Sequence, residues 1–291
     1  MWQAFIKLRD IGRSIAALPK QLELTQQKLD RLNASAMQLP LAQESSSAVA
    51  IYKVVTDSAD CNFYHAEELP DGSLTNAQWD LRQHVDEYLG RVDYRGKTVI
   101  EVGPASGYLT FYMESKGAQV ICIEPPMNSF WDFVPRAESD LTTIRSGFRD
   151  HIQRIRNSFW YFHGVKQSAA RFFEVNPYSL PEDFPTVDIG LFGSVLLHSS
   201  CPLRLLQSVA GHVTKTMIIA EQYFDDLAGP VSRLVPSPSN TTVDTWWQFS
   251  PQFFEAFLAV IGFSHTRVIR HRQRAVVSND WIEMFTVVAD R

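Results

Sequence analysis

Cysteine is scarce in this 291-residue chain. Cys61, Cys122 and Cys201 are the three present. They lie far apart and form no C-x-x-C pair, a pattern that excludes a disulfide framework, fits a reducing compartment and argues against a structural zinc site. Long apolar runs are missing as well. No stretch approaches the ~20 residues needed to cross a bilayer. The first residues lack the basic, apolar and small-residue order of a secretory signal, so a cytoplasmic, metal-free protein is expected. There is no excess of positive charge. The 27 basic and 32 acidic side chains leave a net charge of -5, which gives no general attraction to nucleic acid or anionic lipid. The hydrophobic share of 45% is enough for a sizeable core, and the length fits one large domain or a catalytic domain with a small appendage.

Three zones follow along the chain. In residues 1–41, apolar side chains recur on a heptad: Met1, Ala4, Leu8, Ile11, Ile15, Leu18, Leu22, Leu29, Leu32, Ala36 and Leu39, broken at Thr25. Such a repeat marks helices packing along a seam. Pro19 divides it, because proline removes a helix hydrogen bond and suits the first turn of a new helix. The expectation is a helical, coiled-coil-like extension that joins copies of the chain into a homo-oligomer. An amphipathic helix lying on its own domain is the alternative, and contact of Trp2, Phe5 and Ile6 with a membrane surface is a third. Residues 42–95 read as a polar linker followed by a lead-in or lid, with a turn at Pro70-Asp71-Gly72 and a helix expected from Asn76 to Leu89.

From residue 96 the pattern alternates strand and helix. Apolar strands are expected at Thr98–Val102, Gln119–Ile123, Ala170–Val175, Val187–Phe192 and Thr216–Ala220, with helices between them, the first over Tyr108–Lys116 and ended by Gly117. Runs without polar alternation indicate strands buried on both faces, and strand–helix alternation indicates a doubly wound, mostly parallel, Rossmann-like sheet of the α/β class. A helix over Pro251–Ile261 precedes two successive strands, Thr266–Arg270 and Trp281–Val288, which should close the sheet as an antiparallel hairpin. Residues 128–164 read as a polar and aromatic insertion.

The string from Thr98 to Tyr108 carries the chemistry. A strand feeds a tight turn that opens a helix, and Gly103, Ala105 and Gly107 let backbone approach a ligand closely. The helix start adds unpaired N–H groups. A dinucleotide fingerprint counted from Gly103 would need its last glycine where Tyr108 stands, so the spacing disfavours a nicotinamide dinucleotide. Glu124, ending the next strand, is spaced as a ribose-binding carboxylate would be.

Acidic Glu101 followed by Gly103, Ala105 and Gly107 resembles motif I of the class I S-adenosylmethionine-dependent methyltransferases, with Ala105 in place of the middle glycine. A closer resemblance runs through Phe63 to Gly72, Trp79 to Arg82, Gly96 to Gly103, Gly193 to His198, and Trp246-Trp247 with Ser250-Pro251 and Gly262-Phe263. It is to a bacterial methyltransferase group that includes the transferases building 5-oxyacetic acid on wobble uridine of tRNA, and small-molecule enzymes. This resemblance implies S-adenosyl-L-methionine as cofactor. It places Glu101 at the methionine end, Gly103 to Gly107 along the cofactor, Asn176 near the adenine and Ser194 in the pocket wall.

For the acceptor side, His198 follows the fourth strand and is the first candidate general base; capping of the next helix is its alternative role. His65 is the second candidate, with packing between Phe63 and Tyr64 as its alternative. Tyr64, Trp79 and Arg82 are expected at the entrance. Trp246 and Trp247 offer a stacking platform for substrate or plain core packing. Arg145, Arg149, Arg154 and Arg156 lie among aromatics, a composition that suits single-stranded RNA or a solvated helix face. The leading expectation is methyl transfer to a small-molecule hydroxyl or amine, such as a sugar or natural product. Nucleic acid is the less favoured partner. The alternatives are a tRNA-modifying methyl- or carboxymethyltransferase, and a coiled-coil assembly protein with a degenerate cofactor domain.

Overall fold

The structure, a computed structural model, describes residues 48–129, 132–137 and 140–291. The heptad segment, with the oligomerisation and membrane contact expected of it, lies outside the described residues. Among the described residues, no helix is long and apolar enough to cross a membrane.

Five parallel strands form the centre: β3 (Thr98–Val102), β4 (Gln119–Glu124), β5 (Arg171–Glu174), β6 (Val187–Gly193) and β7 (Val213–Gln222). β10 (His265–Ala275) and β11 (Asp280–Asp290) make the terminal hairpin. The order across this sheet is β1 (Ala50–Ile51)-β5-β4-β3-β6-β7-β11-β10-β2 (Trp79–Asp80), and β8 (Ser232–Leu234) pairs with β9 (Trp247–Phe249) in a separate two-stranded sheet. β11 inserts antiparallel between β7 and β10. The strand order reverses at β3, where β4 lies on one side and β6 on the other. That switch point leaves a crevice beyond the carboxyl ends of the strands, where doubly wound sheets take ligands.

Side-chain alternation along the strands feeds two cores. Val99, Val120, Cys122, Phe172 and Leu191 face one side, and Ile100, Ile121, Ile123, Phe173 and Phe192 the other. Helices α2 (Tyr108–Ser115) and α3 (Leu141–Val165) cover the first face. Helices α4 (Pro202–Ala210) and α5 (Pro251–Val260) cover the second. Burial of both faces is why these strands read as unbroken apolar runs.

The lead-in segment borders both edges of this sheet. β1 (Ala50–Ile51) pairs with β5, and β2 (Trp79–Asp80) pairs with β10. The chain between them therefore runs from one edge strand to the other and passes the crevice on the way. This corrects the helix expected over 76–89: the observed helix, α1, spans only Val85–Tyr88. Trp79 instead donates its N–H to the carbonyl of Tyr64 at 3.0 Å and accepts from Ala66 N–H at 2.7 Å. Tertiary strand pairing outweighs local helix propensity there.

The second correction concerns residues 128–164. Their larger part is α3, a 25-residue helix capped by Asp140, which accepts from the N–H groups of Thr142 and Thr143 at 3.0 and 3.3 Å. Ile155, Phe159 and Phe162 recur at helical spacing and are buried. This is the crossover that carries the chain from β4 to β5, and its Phe159, Trp160 and Phe162 belong to the core.

Candidate functional site

Glu101 stands one residue before the end of β3, and Gly103 begins the turn beyond it. Gly103 and Gly107 take positive φ, 68° and 89°. A Cβ on Gly107 would lie 2.5 Å from Phe111 and 2.8 Å from Phe159. Gly107 is thus fixed by the packing of α2 on α3 as well as by its backbone. Ala105 also has positive φ, 50°, and so does Ser194 beyond β6, at 51°. Two side-chain-bearing residues on this crevice are thus held left-handed, a conformation that carries backbone strain.

The turn opens onto a cavity of about 480 Å3. Glu101, Gly103, Ala105, Glu124, Ser194, Tyr64, His65, Trp79 and His198 all line it. The structure therefore collects, on one cavity, residues that the sequence spreads over some 130 positions. Gly107 sits just behind, as the cap of α2. The side chains of Asn176, Arg82, Trp246 and Trp247 are not on this wall. Asn176 caps its own turn, accepting from Tyr178 N–H at 3.1 Å. Arg82 pairs with Asp80 at 2.7 Å. Trp246 and Trp247 donate their indole N–H groups to the carbonyls of Asp132 and Ser199, at 2.5 and 3.0 Å. Each half-buried indole thus has its polar edge satisfied, and both brace loops that frame the cavity instead of forming its surface.

Glu101 is 2% exposed, and burial raises its carboxyl to about 7, against a 2.5 Å hydrogen bond donated by Thr110. A cation arriving beside it would ionise it. Glu124 is held from behind. Arg156 of α3, 1% exposed, binds Glu124 Oε2 at 2.6 Å, Glu174 Oε1 at 2.8 Å and the Pro125 carbonyl at 2.5 Å. The hydrogen bonds that Arg156 donates to Glu124 fall on Oε2. Arg156 was legible only as one member of a basic cluster. Its neighbour Arg154 donates to the carbonyls of Ala59 and Cys61 at 2.9 and 3.0 Å. Neither side chain is committed to an outer nucleic-acid face.

His65 is buried, and desolvation lowers its pKa to about 3. Its N–H donates to Ser106 Oγ at 3.0 Å, and its Nδ1 lies 3.4 Å from the same oxygen. It ties the lead-in segment to the glycine turn, and a ring so easily kept neutral is a weak base. His198 ends a 3-10 turn at Leu196–His198 and is exposed. Its Nδ1 is 2.6 Å from the Asp244 carbonyl. A carbonyl only accepts, so Nδ1 carries the hydrogen and Nε2 of the neutral ring keeps its lone pair.

Sequence reading missed Glu221. It follows the apolar run Met217-Ile218-Ile219-Ala220 of β7, as Glu124 follows that of β4, so the same signal pointed to both. Glu221 is 3% exposed, and burial raises its carboxyl to about 8. Its hydrogen bonds come from the backbone of Leu196, 3.1 Å to Oε1, and of Leu197. Asp132 was also missed. Its carboxylate accepts from the Tyr178 hydroxyl and, at 2.9 Å, from Ser200 N–H.

No family model and no curated protein matches the sequence. Among solved structures, the chain is similar to the N-terminal domain of EvdMO1 with S-adenosylhomocysteine and D-fucose, at 16% identity over 78% of this chain and 91% of that one, TM-score 0.47. It is similar to a putative S-adenosylmethionine-dependent methyltransferase from Listeria monocytogenes, at 12% identity over 72% and 99%, TM-score 0.47. It is also similar to the 1,6-didemethyltoxoflavin-N1-methyltransferase of Burkholderia thailandensis, at 15% identity over 71% and 74%, TM-score 0.42. Likeness at this level carries no argument about the site; the geometry of the cavity does.

Proposed function

We propose that this protein is an S-adenosylmethionine-dependent methyltransferase acting on a small-molecule acceptor. One observation carries the reading: a left-handed glycine turn, a buried carboxyl before it and an arginine-held carboxylate at the end of the neighbouring strand all face one cavity at the switch point of the sheet. The donor set fits the cofactor. Glu124 would accept from the ribose hydroxyls, and Arg156 holds the carboxylate in place for them. Ile123, Pro125 and Ile155 give an apolar wall for the adenine. Glu101 suits a positively charged amino group, and the first N–H groups of α2 suit a carboxylate.

The cofactor supplies an activated methyl group, and the protein's task is alignment. His198 Nε2 is placed to hold or remove a proton on an acceptor hydroxyl or amine, with its ring oriented by the Asp244 carbonyl. The lead-in segment and the loops tied to Trp246 and Trp247 border the cavity and limit water.

Calorimetric titration with S-adenosylhomocysteine tests the reading. Binding in the micromolar range or tighter is expected, weakened at least ~10-fold in Glu124→Ala, the loss that one or two charge-assisted hydrogen bonds would give. A chain that binds neither this molecule nor S-adenosylmethionine is not this enzyme.

A further inference from the structure

The carbonyl that orients His198 belongs to the loop joining β8 to β9, residues 235–246. Consecutive carbonyls of that loop are each taken by a different group. Thr242 accepts from Arg136 Nε at 3.2 Å, Val243 from the N–H of Val134 at 2.9 Å, and Asp244 from His198 Nδ1 at 2.6 Å. Val134 and Arg136 sit on the stretch between β4 and α3, and His198 is the candidate base. The loop is the link between them.

The link is held at both ends. Arg136 Nη1 also donates to the Ser237 carbonyl at 3.2 Å, so one guanidinium spans the loop from Ser237 to Thr242. A planar fork suits two carbonyls in this way, and a single ammonium does not. Within the loop, Asp244 Oδ1 accepts from the hydroxyls of Thr242 and Thr245, both at 3.2 Å. These local bonds tie residues 242–245 into one unit, so the placing of Arg136 is passed on to the Asp244 carbonyl. Beyond that unit, Trp246 donates its N–H to the carbonyl of Leu197, the residue before His198, at 2.8 Å. Arg136 Nη2 is buried without a partner. That cost offsets part of what the other two hydrogen bonds contribute, and the chief effect of the side chain is geometric.

We propose that Arg136 is a positioning residue for the base: it holds the loop so that the Asp244 carbonyl meets His198 Nδ1, and thereby keeps the ring in its Nδ1–H form with the Nε2 lone pair left for the acceptor. This rests on the reading of His198 as the base that serves methyl transfer, and adds what sets its tautomer. Arg136 is not on the cavity wall, so it acts through the loop and not on the reacting atoms. A histidine side chain in water favours hydrogen on Nε2. That form would turn an N–H toward the acceptor and would leave no lone pair there to take a proton. The Asp244 carbonyl reverses the preference. As the methyl group is transferred, the acceptor's proton passes to Nε2, and the imidazolium so formed still donates from Nδ1 to the same carbonyl.

The test is NMR of the imidazole nitrogens in the full chain, at about pH 9, above the range in which histidines titrate. The His198 signals are identified by their loss in His198→Gln. The Nδ1–H form should dominate in the wild type. In Arg136→Met the ratio of Nδ1–H to Nε2–H should fall about fivefold, the effect of one net hydrogen bond. Arg136→Lys, which keeps the charge without the fork, should lie between, and it decides the case if the Met variant does not fold. Thr242→Val, which cuts the tie inside the loop and leaves Arg136 in place, should lower the ratio as well. The proposal is overturned if the Nε2–H form dominates in the wild type, or if the folded variants keep the wild-type ratio. Calorimetry with S-adenosylhomocysteine on the same samples is a separate readout. A tautomer shift in a chain that does not bind this molecule would sink the methyltransferase reading and leave the positioning role of Arg136 standing.

Discussion

The two halves of the cavity are built in opposite ways. The cofactor half comes from one short stretch, Glu101 to Gly107, plus Glu124 on the adjacent strand, and its key feature is backbone conformation. The acceptor half draws Tyr64, His65, His198, Glu221, Asp244 and Gln273 from five separate segments, and its key feature is the environment of side chains. A backbone-built site depends on sterics and on the groups that prop it. A side-chain-built site depends on burial and charge, and so should answer to pH.

The largest effect is expected from removing the prop of the cofactor half. Arg156→Met leaves Glu124 and Glu174 facing each other without their shared cation. Breaking a buried pair in this way costs about 3 kcal/mol or more. Urea unfolding should show that loss, and titration should show weakened S-adenosylhomocysteine. Arg156→Lys, which restores charge without the fork, should fall between. Unchanged stability in the Met variant would mean that the clamp is incidental and that the two halves are less different than they look.

Next is the turn itself. Gly107→Ala places a methyl 2.5 Å from Phe111 at a φ of 89°. Overpacking and left-handed strain together should cost about 2–3 kcal/mol, read as a lower melting temperature. A variant as stable as wild type would show that α2 can shift off α3, and the backbone-built description would fail.

Buried carboxyl groups in both halves give a pH signature, the larger from Glu221 of the acceptor half. Burial raises Glu221 to about 8 and Glu101 to about 7, from an ordinary 4.5. Between roughly pH 5 and 8 the folded chain holds protons that the unfolded chain has released, so stability falls as pH rises through that window. His65, lowered to about 3 by burial, acts in the opposite sense and lower down: the unfolded chain binds its proton below about pH 6.5, so its contribution grows from pH 3 to 6.5. Melting curves from pH 5 to 8 should decline in the wild type and decline less in Glu221→Gln. Parallel curves would remove Glu221 from the buried, neutral state described for it.

The smallest change tests the turn from its other side. Ala105→Gly relieves a left-handed φ of 50° but adds freedom to the unfolded chain, and the two terms nearly offset. The expected result is within about 1 kcal/mol of neutral, on the stabilising side. A clearly destabilised variant would mean that the alanine methyl supports the turn.

Much of the parallel sheet was legible. Strand β3, the end of α2 and the terminal hairpin follow directly from apolar runs, Gly117 and two successive strands. Residues 76–89 were misread because Gln78 accepts from the N–H of the sequence-distant Val276, and Trp79 donates to the carbonyl of Tyr64 and pairs with Ala275, which no local pattern announces. The basic and aromatic stretch of α3 looked like a surface feature, because sequence does not show that Arg156 turns inward to two glutamates. Glu221 was missed although its signal equals that of Glu124. The expected strand stopped at Ala220, one residue short.

By itself, the sequence determined the elements and the glycine turn, because periodicity and the left-handed preference of glycine act over a few residues. Which carboxyl groups stay protonated, which arginine is spent inside and which indoles leave the cavity were decided only by tertiary structure. Those properties depend on desolvation and on partners brought together from distant positions, and both come into being only when the chain packs.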